Sequence, residues 1–255
     1  MVSAPESPAL VSLAGQHSRA LDQLGTLICS GELVPGSSLT LEDIEERCAI
    51  SRSVARETVR VLESMRLVAS RRRIGVVVLP EAEWNLYDPQ VIRWRLNSPD
   101  RAAQLASMVE LRAAIEPEAA RLAAQRATSQ QVSELIALSG RLWAAGEQQD
   151  DELFLSLDVE FHAMVLELSG NAMFSRLNGL IGQVLVSRTE HGLVPDRPAG
   201  VALQLHVDVA GAIQRRDPDA AYAIMRSILV AALDEIDTLA VDGGGAKAGE
   251  TASSR

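Results

Sequence analysis

Three arginines of this 255-residue sequence recur at intervals of four residues and so share one face of a helix: Arg52, Arg56 and Arg60. Ala55 and Val59 have the same spacing and form a separate apolar stripe, which predicts packing against a core. A planar guanidinium can meet guanine O6 and N7 through two hydrogen bonds, and a helix fits the major groove. The spacing therefore predicts a helix that packs through one face and reads DNA with another.

The distribution of charge supports this interpretation. The whole chain has a formal charge of -10, which argues against a protein whose entire surface binds nucleic acid. Residues 51–80 alone hold seven arginines against Glu57 and Glu63, a charge of +5, so the remainder carries -15. A solvated helix face neutralised in part by these two glutamates is the alternative, but it gives the like-charge stripe no stabilising role. The segregation favours a local phosphate-binding surface on an acidic protein.

The elements predicted around the arginines are three helices. Helical patterning predicts the first from Ser18, as N-cap, to Cys29, and the second over about residues 41–48. The third opens at Ser51, whose hydroxyl is expected to accept a hydrogen bond from an early backbone amide. It continues to about Met65. This order predicts a helix-turn-helix.

A basic, glycine-containing segment follows the third helix. Arg71, Arg72 and Arg73 come shortly before Gly75 and a run of valines. β-Branched residues next to a glycine predict a two-stranded wing with a basic tip. Such a tip could reach an adjacent minor groove or its phosphates.

The run LEDIEERCAISRSVARETVRVLESMRLVASRRRIGVVV resembles the winged helix-turn-helix of GntR-family transcriptional regulators, whose signature has the form S-R-x-x-x-R-E. The preceding ICSGELVPGSSL resembles the turn after the family's first helix, so the resemblance covers roughly residues 18–80. It implies base and phosphate contacts from the recognition helix and a wing whose glycine approaches the minor groove. Glu42 stands where the family frequently has a basic or polar DNA-contacting residue. The predicted DNA-binding residues are Ser51, Arg52, Ser53, Arg56, Arg60, Arg71, Arg72, Arg73 and Gly75.

The second half of the sequence has helical periodicity throughout, which predicts a mainly α protein with a C-terminal antiparallel bundle of about six helices. The predicted helices cover about residues 99–126, 129–149, 151–169, 171–190, 200–216 and 218–240. Pro117 is expected to kink or break the first of them.

A second group of side chains in this half could bind a metal ion. Asp158 and His162 lie four residues apart, which places both on one helix face, and His206 follows on a later helix. A hydrogen-bonded Asp–His pair and a buried core histidine are the alternative interpretation of the same spacing. Arg112 stands among apolar residues and needs an anionic partner, either Glu116 or Asp158 within the protein or the carboxylate of a ligand.

Most of residues 105–230 resembles the helical ligand-binding FCD domain of the FadR subgroup of GntR regulators, in runs such as ELRAAIEPEAARLAAQRAT and LDVEFHAMVLELSGN. Domains of this type commonly hold a divalent cation with one Asp and three His, next to a small carboxylate effector. The resemblance implies Asp158, His162 and His206 as ligands of a divalent ion such as zinc, whereas the fourth ligand position is Ile228. The missing ligand leaves a metal-free pocket as the alternative, in which the same three side chains hydrogen-bond the hydroxyl groups of the effector. The predicted effector-binding residues are Arg112, Asp158, His162, Asn171 and His206.

The expected organisation is a disordered N-terminus and tail around two domains joined by a linker: 1–15, 16–80, 81–98, 99–241 and 242–255. The linker run WNLYDPQVIRWRL resembles that of regulators that sense hexonates such as galactonate. Two cysteines, no basic leader and no apolar run of membrane-spanning length predict a cytoplasmic protein that does not enter membranes.

The function predicted from these features is that of a homodimeric repressor that binds operator DNA and is released by a small carboxylate or sugar-acid effector. One alternative is a metal-dependent hydrolase that uses Asp158, His162 and His206, although no general base stands beside them. Another is a DNA-binding dimer without an effector.

Overall fold

The structure is a computed structural model that describes residues 8–190 and 200–230. The chain divides into two compact units, Met1–Arg101 and Ala102–Arg255. Helices dominate both, and a small three-stranded sheet belongs to the first, which confirms the predicted fold class. Residues 1–7 and 242–255, which were expected to be disordered, lie outside the described part of the chain.

Four helices form most of the first unit: α1 Pro8–Cys29, α2 Leu41–Cys48, α3 Arg52–Ser64 and α4 Pro89–Leu96. The start of α1 at Pro8 corrects the expectations that the helix begins after Ser18 and that residues 1–15 are disordered throughout. Proline suits the first helical position, and the leucines and alanines that follow it are good helix formers. Small residues near a terminus therefore did not signal disorder.

Local capping sets the turn between α2 and α3. Thr40 and Asp43 form a reciprocal capping box at the start of α2, and Ala49 ends this helix in the left-handed conformation at φ 52°. Ser51 is the N-cap residue of α3, but its hydroxyl does not accept the expected backbone hydrogen bond. It lies instead 3.0 Å from the hydroxyl of Ser53. The position of the cap was predicted correctly and its hydrogen bond was not.

The wing is a three-stranded sheet instead of the predicted two-stranded hairpin. Its strands are β1 Ser38–Leu39, β2 Val68–Arg71 and β3 Gly75–Val78, in the order β1-β3-β2 with antiparallel pairing. Gly75 has φ +108°, and a Cβ there would lie 2.5 Å from the carbonyl oxygen of Leu39. Glycine at this position therefore lets β1 approach β3, which sequence reasoning did not anticipate.

The segment 81–98, predicted as a linker, contains α4, which packs in the core of the first unit. The Trp94 ring occupies the space beside Gly25 of α1, where a Cβ would lie 2.4 Å from ring carbons. Its indole Nε1 donates to Asp22, 3.0 Å away, and Arg93 pairs with the same carboxylate. These contacts make α4 part of the first unit and not a free connector.

The second unit consists of helices: α5 Arg101–Arg126, α6 Ser129–Gln148, α7 Asp151–Leu168, α8 Ala172–Ser175, α9 Asn178–Glu190, α10 Gly200–Gln214 and α11, residues 218–230. The predicted helix 171–190 is two helices, with a turn at residues 176–177. α5 is continuous through Pro117, so the expected break is absent from this helix. None of the described helices has the length and hydrophobicity needed to cross a bilayer.

Candidate functional site

The face of α3 that carries the arginines is open to solvent. Arg52, Arg56 and Arg60 are all exposed. The residues that bury the other face are Val54, Ala55, Thr58, Val59 and Leu62. This division confirms the separation of an apolar stripe from a cationic stripe that the sequence predicted.

Two of the three arginines on α3 have acidic neighbours. Nη1 of Arg52 lies 3.5 Å from carboxylate oxygens of both Glu42 and Glu45 on α2, and Arg60 lies 3.3 Å from Glu57. Exposed pairs of this kind contribute about 0–1 kcal/mol, so a DNA phosphate or base can replace them. Glu42 therefore contacts Arg52, a residue predicted to read DNA.

Glu63 does not neutralise the arginine face. Its carboxylate accepts a hydrogen bond of 2.6 Å from the backbone N–H of Ser70, at the beginning of the wing. This contact ties α3 to β2 and fixes the wing relative to the recognition helix.

The tip of the wing presents the other predicted cations. Arg71, Arg72 and Arg73 are exposed, and none forms an ion pair with another described residue. The turn closes through a hydrogen bond of 3.1 Å from the N–H of Ile74 to the carbonyl of Arg71, with Arg73 at φ 67°. Together with the arginines of α3, these residues are the candidate nucleic-acid-binding residues of the first unit.

The second unit brings five side chains into one buried polar cluster. Arg112 and Glu116 come from α5, Asp158 and His162 from α7, and His206 from α10. Nε of Arg112 lies 2.6 Å from Oε1 of Glu116, and Oε2 of Glu116 lies 2.5 Å from Nδ1 of His162. The Oδ1 atom of Asp158 lies 3.5 Å from Nε2 of His162 and 3.0 Å from Nε2 of His206.

The hydrogen bonds of the two histidines orient their rings in the same way. Nδ1 of His162 donates to Glu116, and Nδ1 of His206 donates to the carbonyl oxygen of Ala202, 2.7 Å away. Both Nε2 atoms then face the carboxylate of Asp158. An imidazole that donates from one nitrogen and presents the other is the arrangement of metal-bound histidines.

Buried polar atoms in the cluster are left without a hydrogen-bond partner. Oδ1 of Asp158 and Nε2 of His206 are buried, and neither has an aligned hydrogen bond although they are 3.0 Å apart. Two acceptor atoms at this distance require a shared proton or a metal ion between them. The candidate ligand atoms of Asp158, His162 and His206 all lie within 4.8 Å of one another. The donor set of one carboxylate and two imidazoles fits zinc or a similar divalent ion.

The pKa values of the buried groups follow from their neighbours. Burial raises the pKa of Glu116, but the charges of Arg112 and His162 outweigh it and lower the pKa to about 2. Burial lowers the pKa of His162, whereas Glu116 and Asp158 raise it to about 9. Burial also raises the pKa of Asp158, and His162 and His206 hold it well below its usual range. The two carboxylates are therefore ionised. His162 carries a second ring proton, and thus a positive charge, when no metal ion is bound to it.

Phe161 forms one apolar wall of the cluster. Its ring packs edge-on against His162 and His206, with centroids 5.8 and 5.0 Å apart. The ring excludes water from one side of both imidazoles, which strengthens the electrostatic interactions around Asp158.

Two further positions were considered for this site in the sequence, Asn171 and Ile228. The side chain of Asn171 caps α8 by accepting from the N–H of Met173, which gives it a local structural role. Ile228 is a partly buried residue of α11. Sequence reasoning considered Glu116 only as a partner of Arg112 and missed its contact with His162. No local pattern could signal it, because 46 residues separate the two.

The fold and these two sites define a class of protein: a DNA-binding regulator in which a winged helix-turn-helix is joined to a helical domain with a buried polar site. The chain matches the models described as "Bacterial regulatory proteins, gntR family" over residues 16–78 and "FCD domain" over residues 107–231. The chain belongs to the GntR family of transcriptional regulators.

Named relatives agree with this assignment. The "Galactonate operon transcriptional repressor" of Escherichia coli (strain K12) is 33% identical over 207 residues, which cover 80% of this chain and 89% of the relative. The "Uncharacterized HTH-type transcriptional regulator YieP" of the same organism is 28% identical, with coverage of 82% and 90%. One solved structure is described as "Lar controls the expression of the Listeria monocytogenes agr system and mediates virulence". It is 15% identical to this chain and has a TM-score of 0.52, with coverage of 93% of this chain and all of that one. At this identity it supports the fold alone. The two named relatives are regulators and not enzymes, so the hydrolase alternative is not supported.

Proposed function

We propose that this regulator binds operator DNA as a homodimer through α3 and the wing, and that a small carboxylate bound in the second unit controls its affinity for DNA. The observation that carries the first part is the solvent-exposed stripe of Arg52, Arg56 and Arg60 beside a wing tip of three further arginines. Regulators of this family bind operator DNA, and two copies of one recognition helix would read an inverted repeat.

The charge of the buried cluster supports an anionic effector. With a divalent ion on two neutral imidazoles, the charges of Arg112, Glu116 and Asp158 leave one net positive charge in a buried site. A singly charged carboxylate neutralises it, whereas a neutral ligand leaves it uncompensated. Nη1 of Arg112 is buried without a hydrogen-bond partner and is a candidate donor to that carboxylate.

Three residues would hold the ion: Asp158, His162 and His206. The ion would act as a Lewis acid that attracts the oxygens of the effector. Because Ile228 stands at the family's fourth ligand position, a coordination position is left for an effector oxygen. A carboxylate that also carries a hydroxyl group could use both. The name of the galactonate operon repressor, a relative over most of this chain, makes sugar acids the first class to test.

The DNA-binding part is tested by replacing Arg52 and Arg56 together with alanine. Each bidentate base contact is worth about 1–3 kcal/mol, so we expect specific affinity to fall at least about tenfold at fixed salt. Arg141→Ala, an exposed arginine on α6, is the matched control and should bind as the wild type does. Unchanged sequence-specific binding by the double variant would falsify the proposal.

The effector part is tested by a thermal-shift screen of sugar acids and small carboxylates, with and without a chelator. A ligand that binds only the folded state raises the melting temperature. We expect stabilisation by a monocarboxylate that is reduced by the chelator and lost in Asp158→Ala. Stabilisation that survives the chelator would favour a metal-free pocket, and the absence of any stabilising compound would favour a DNA-binding dimer without an effector.

A further inference from the structure

Glu116 approaches the histidine site from α5, a helix that carries none of the candidate metal ligands. Its Oε2 atom accepts a hydrogen bond of 2.5 Å from Nδ1 of His162, and both side chains are 1% exposed. We infer that Glu116 is a positioning residue, which holds the His162 ring with Nδ1–H toward α5 and so aims Nε2 at the ion site beside Asp158. This inference rests on the proposed function of that site.

The geometry of the Arg112–Glu116 pair indicates that Glu116 does more than neutralise the charge of Arg112. A neighbouring pair on the same helix, Glu118 and Arg121, is bidentate, with distances of 2.9 and 3.1 Å. In the buried pair one distance is 2.6 Å and the other is 3.5 Å, because Oε2 of Glu116 turns to His162. A carboxylate needed only to neutralise an arginine would use both oxygens evenly.

The two histidines of the site differ in what orients them. Nδ1 of His206 donates to the carbonyl of Ala202, four residues earlier in its own helix, so local backbone suffices. His162 instead donates to a side chain of another helix. Removal of the Glu116 carboxylate therefore removes the orientation of His162 and leaves that of His206 in place.

The expected consequence is weaker metal binding without loss of a ligand. Carboxylates that accept from the distal nitrogen of a metal-bound histidine fix the ring and make it a better donor, and their loss typically lowers metal affinity about 10–100-fold. The variant Glu116→Gln keeps the size of the side chain and removes its charge. We expect its zinc affinity, measured by competition with a chromophoric chelator, to fall by about that factor.

Glu118→Gln is the matched control, since it removes a carboxylate from the same helix at a partly exposed pair. It should bind zinc as the wild type does. Because Glu116→Gln leaves Arg112 buried without its counter-ion, Arg112→Met/Glu116→Gln is the second variant, in which both charges are removed together. Circular dichroism establishes which variants are folded, and the folded ones should show the same loss of zinc affinity.

A second readout reports the orientation of His162 directly and requires no metal. The chain has four histidines, so ¹⁵N-histidine labelling gives few signals. In the wild type and in Glu118→Gln, the hydrogen-bonded Nδ1–H of His162 should appear far downfield and exchange slowly with water. In Glu116→Gln and in the double variant this signal should move upfield or be lost, because a neutral amide oxygen is a weaker acceptor than a carboxylate.

The outcomes separate this inference from the proposed function. Wild-type zinc affinity in both folded Glu116 variants, or an unchanged Nδ1–H signal, overturns the positioning role. If the wild type itself takes up no zinc, the metal part of the proposed function fails, and the NMR signal alone decides whether Glu116 holds His162. Weaker zinc binding together with an upfield shift or loss of the signal supports both.

Discussion

The two units of this protein place charged side chains in opposite environments. The cations of α3 and the wing lie in water, with at most weak acidic partners. The charges of the second unit lie in a buried cluster in which Arg112, Glu116 and His162 are each about 1% exposed. An exposed charge costs little to keep unpaired, whereas a buried charge must be compensated by its neighbours. The first arrangement suits a polyanion that arrives from solvent, and the second suits a small ion or ligand that completes a nearly balanced network.

The largest effect should come from breaking that network at Arg112. Arg112→Met leaves the Glu116 carboxylate buried without its guanidinium, and removal of one partner of a buried pair typically costs about 3–5 kcal/mol. We expect a loss of this size in the free energy of unfolding, measured by urea denaturation. Arg121→Met breaks the partly exposed pair with Glu118 and should cost less than about 1 kcal/mol. Equal costs would show that burial is not the source of the difference.

On the exposed surface, removal of charge should weaken DNA binding and leave stability unchanged. The variant Arg71→Gln/Arg72→Gln/Arg73→Gln removes three phosphate contacts at most. The slope of log affinity against log salt should then decrease by up to about 3 units, with similar melting temperatures. An unchanged slope would mean that the wing does not contact phosphates, and a large fall in melting temperature would contradict the comparison between the units.

A smaller effect should follow from Gly75→Ala, which tests whether the wing depends on close packing. A Cβ at this position meets the carbonyl oxygen of Leu39 at 2.5 Å, so we expect destabilisation by about 1–3 kcal/mol and weaker DNA binding. Gly36→Ala is the control, because Gly36 also has a positive φ, +85°, but has open space around its Cβ position. If both variants lose the same stability, backbone strain alone explains the need for glycine at position 75.

The smallest effect on stability is expected for Asp43, an exposed acidic residue at the start of α2. The backbone N–H and hydroxyl of Thr40 lower the pKa of Asp43. A carboxyl whose pKa is lower in the folded state stabilises the fold above its unfolded pKa, and this contribution disappears as the pH falls. The stability advantage of the wild type over Asp43→Asn should therefore be present at neutral pH, begin to fall near about pH 4 and be lost at lower pH. An advantage that does not change between pH 7 and pH 3 would contradict this origin.

Local patterns predicted the parts of the fold that depend on neighbours in sequence. The bounds of α2, the N-cap position of α3 and the division of α3 into apolar and cationic faces follow from spacing and capping chemistry. Resemblance to known regulators supplied the family, and the matching relatives bear it out. The same reasoning missed α4 and the strand β1, because both are stabilised by packing against distant segments: Trp94 against α1, and Leu39 against Gly75.

By itself, the sequence determined which residues share a helix face, including the arginines of α3 and the pair Asp158 and His162, since helical periodicity is a local property. The resemblance to FCD domains supplied His206, but only the tertiary structure placed its Nε2 atom 3.0 Å from Asp158 and Glu116 behind His162. These contacts join three helices, and no spacing within one helix specifies which side chains of another helix it will meet. The residues of the DNA surface could therefore be named from a single segment, whereas the geometry of the buried site required the packing of α5, α7 and α10.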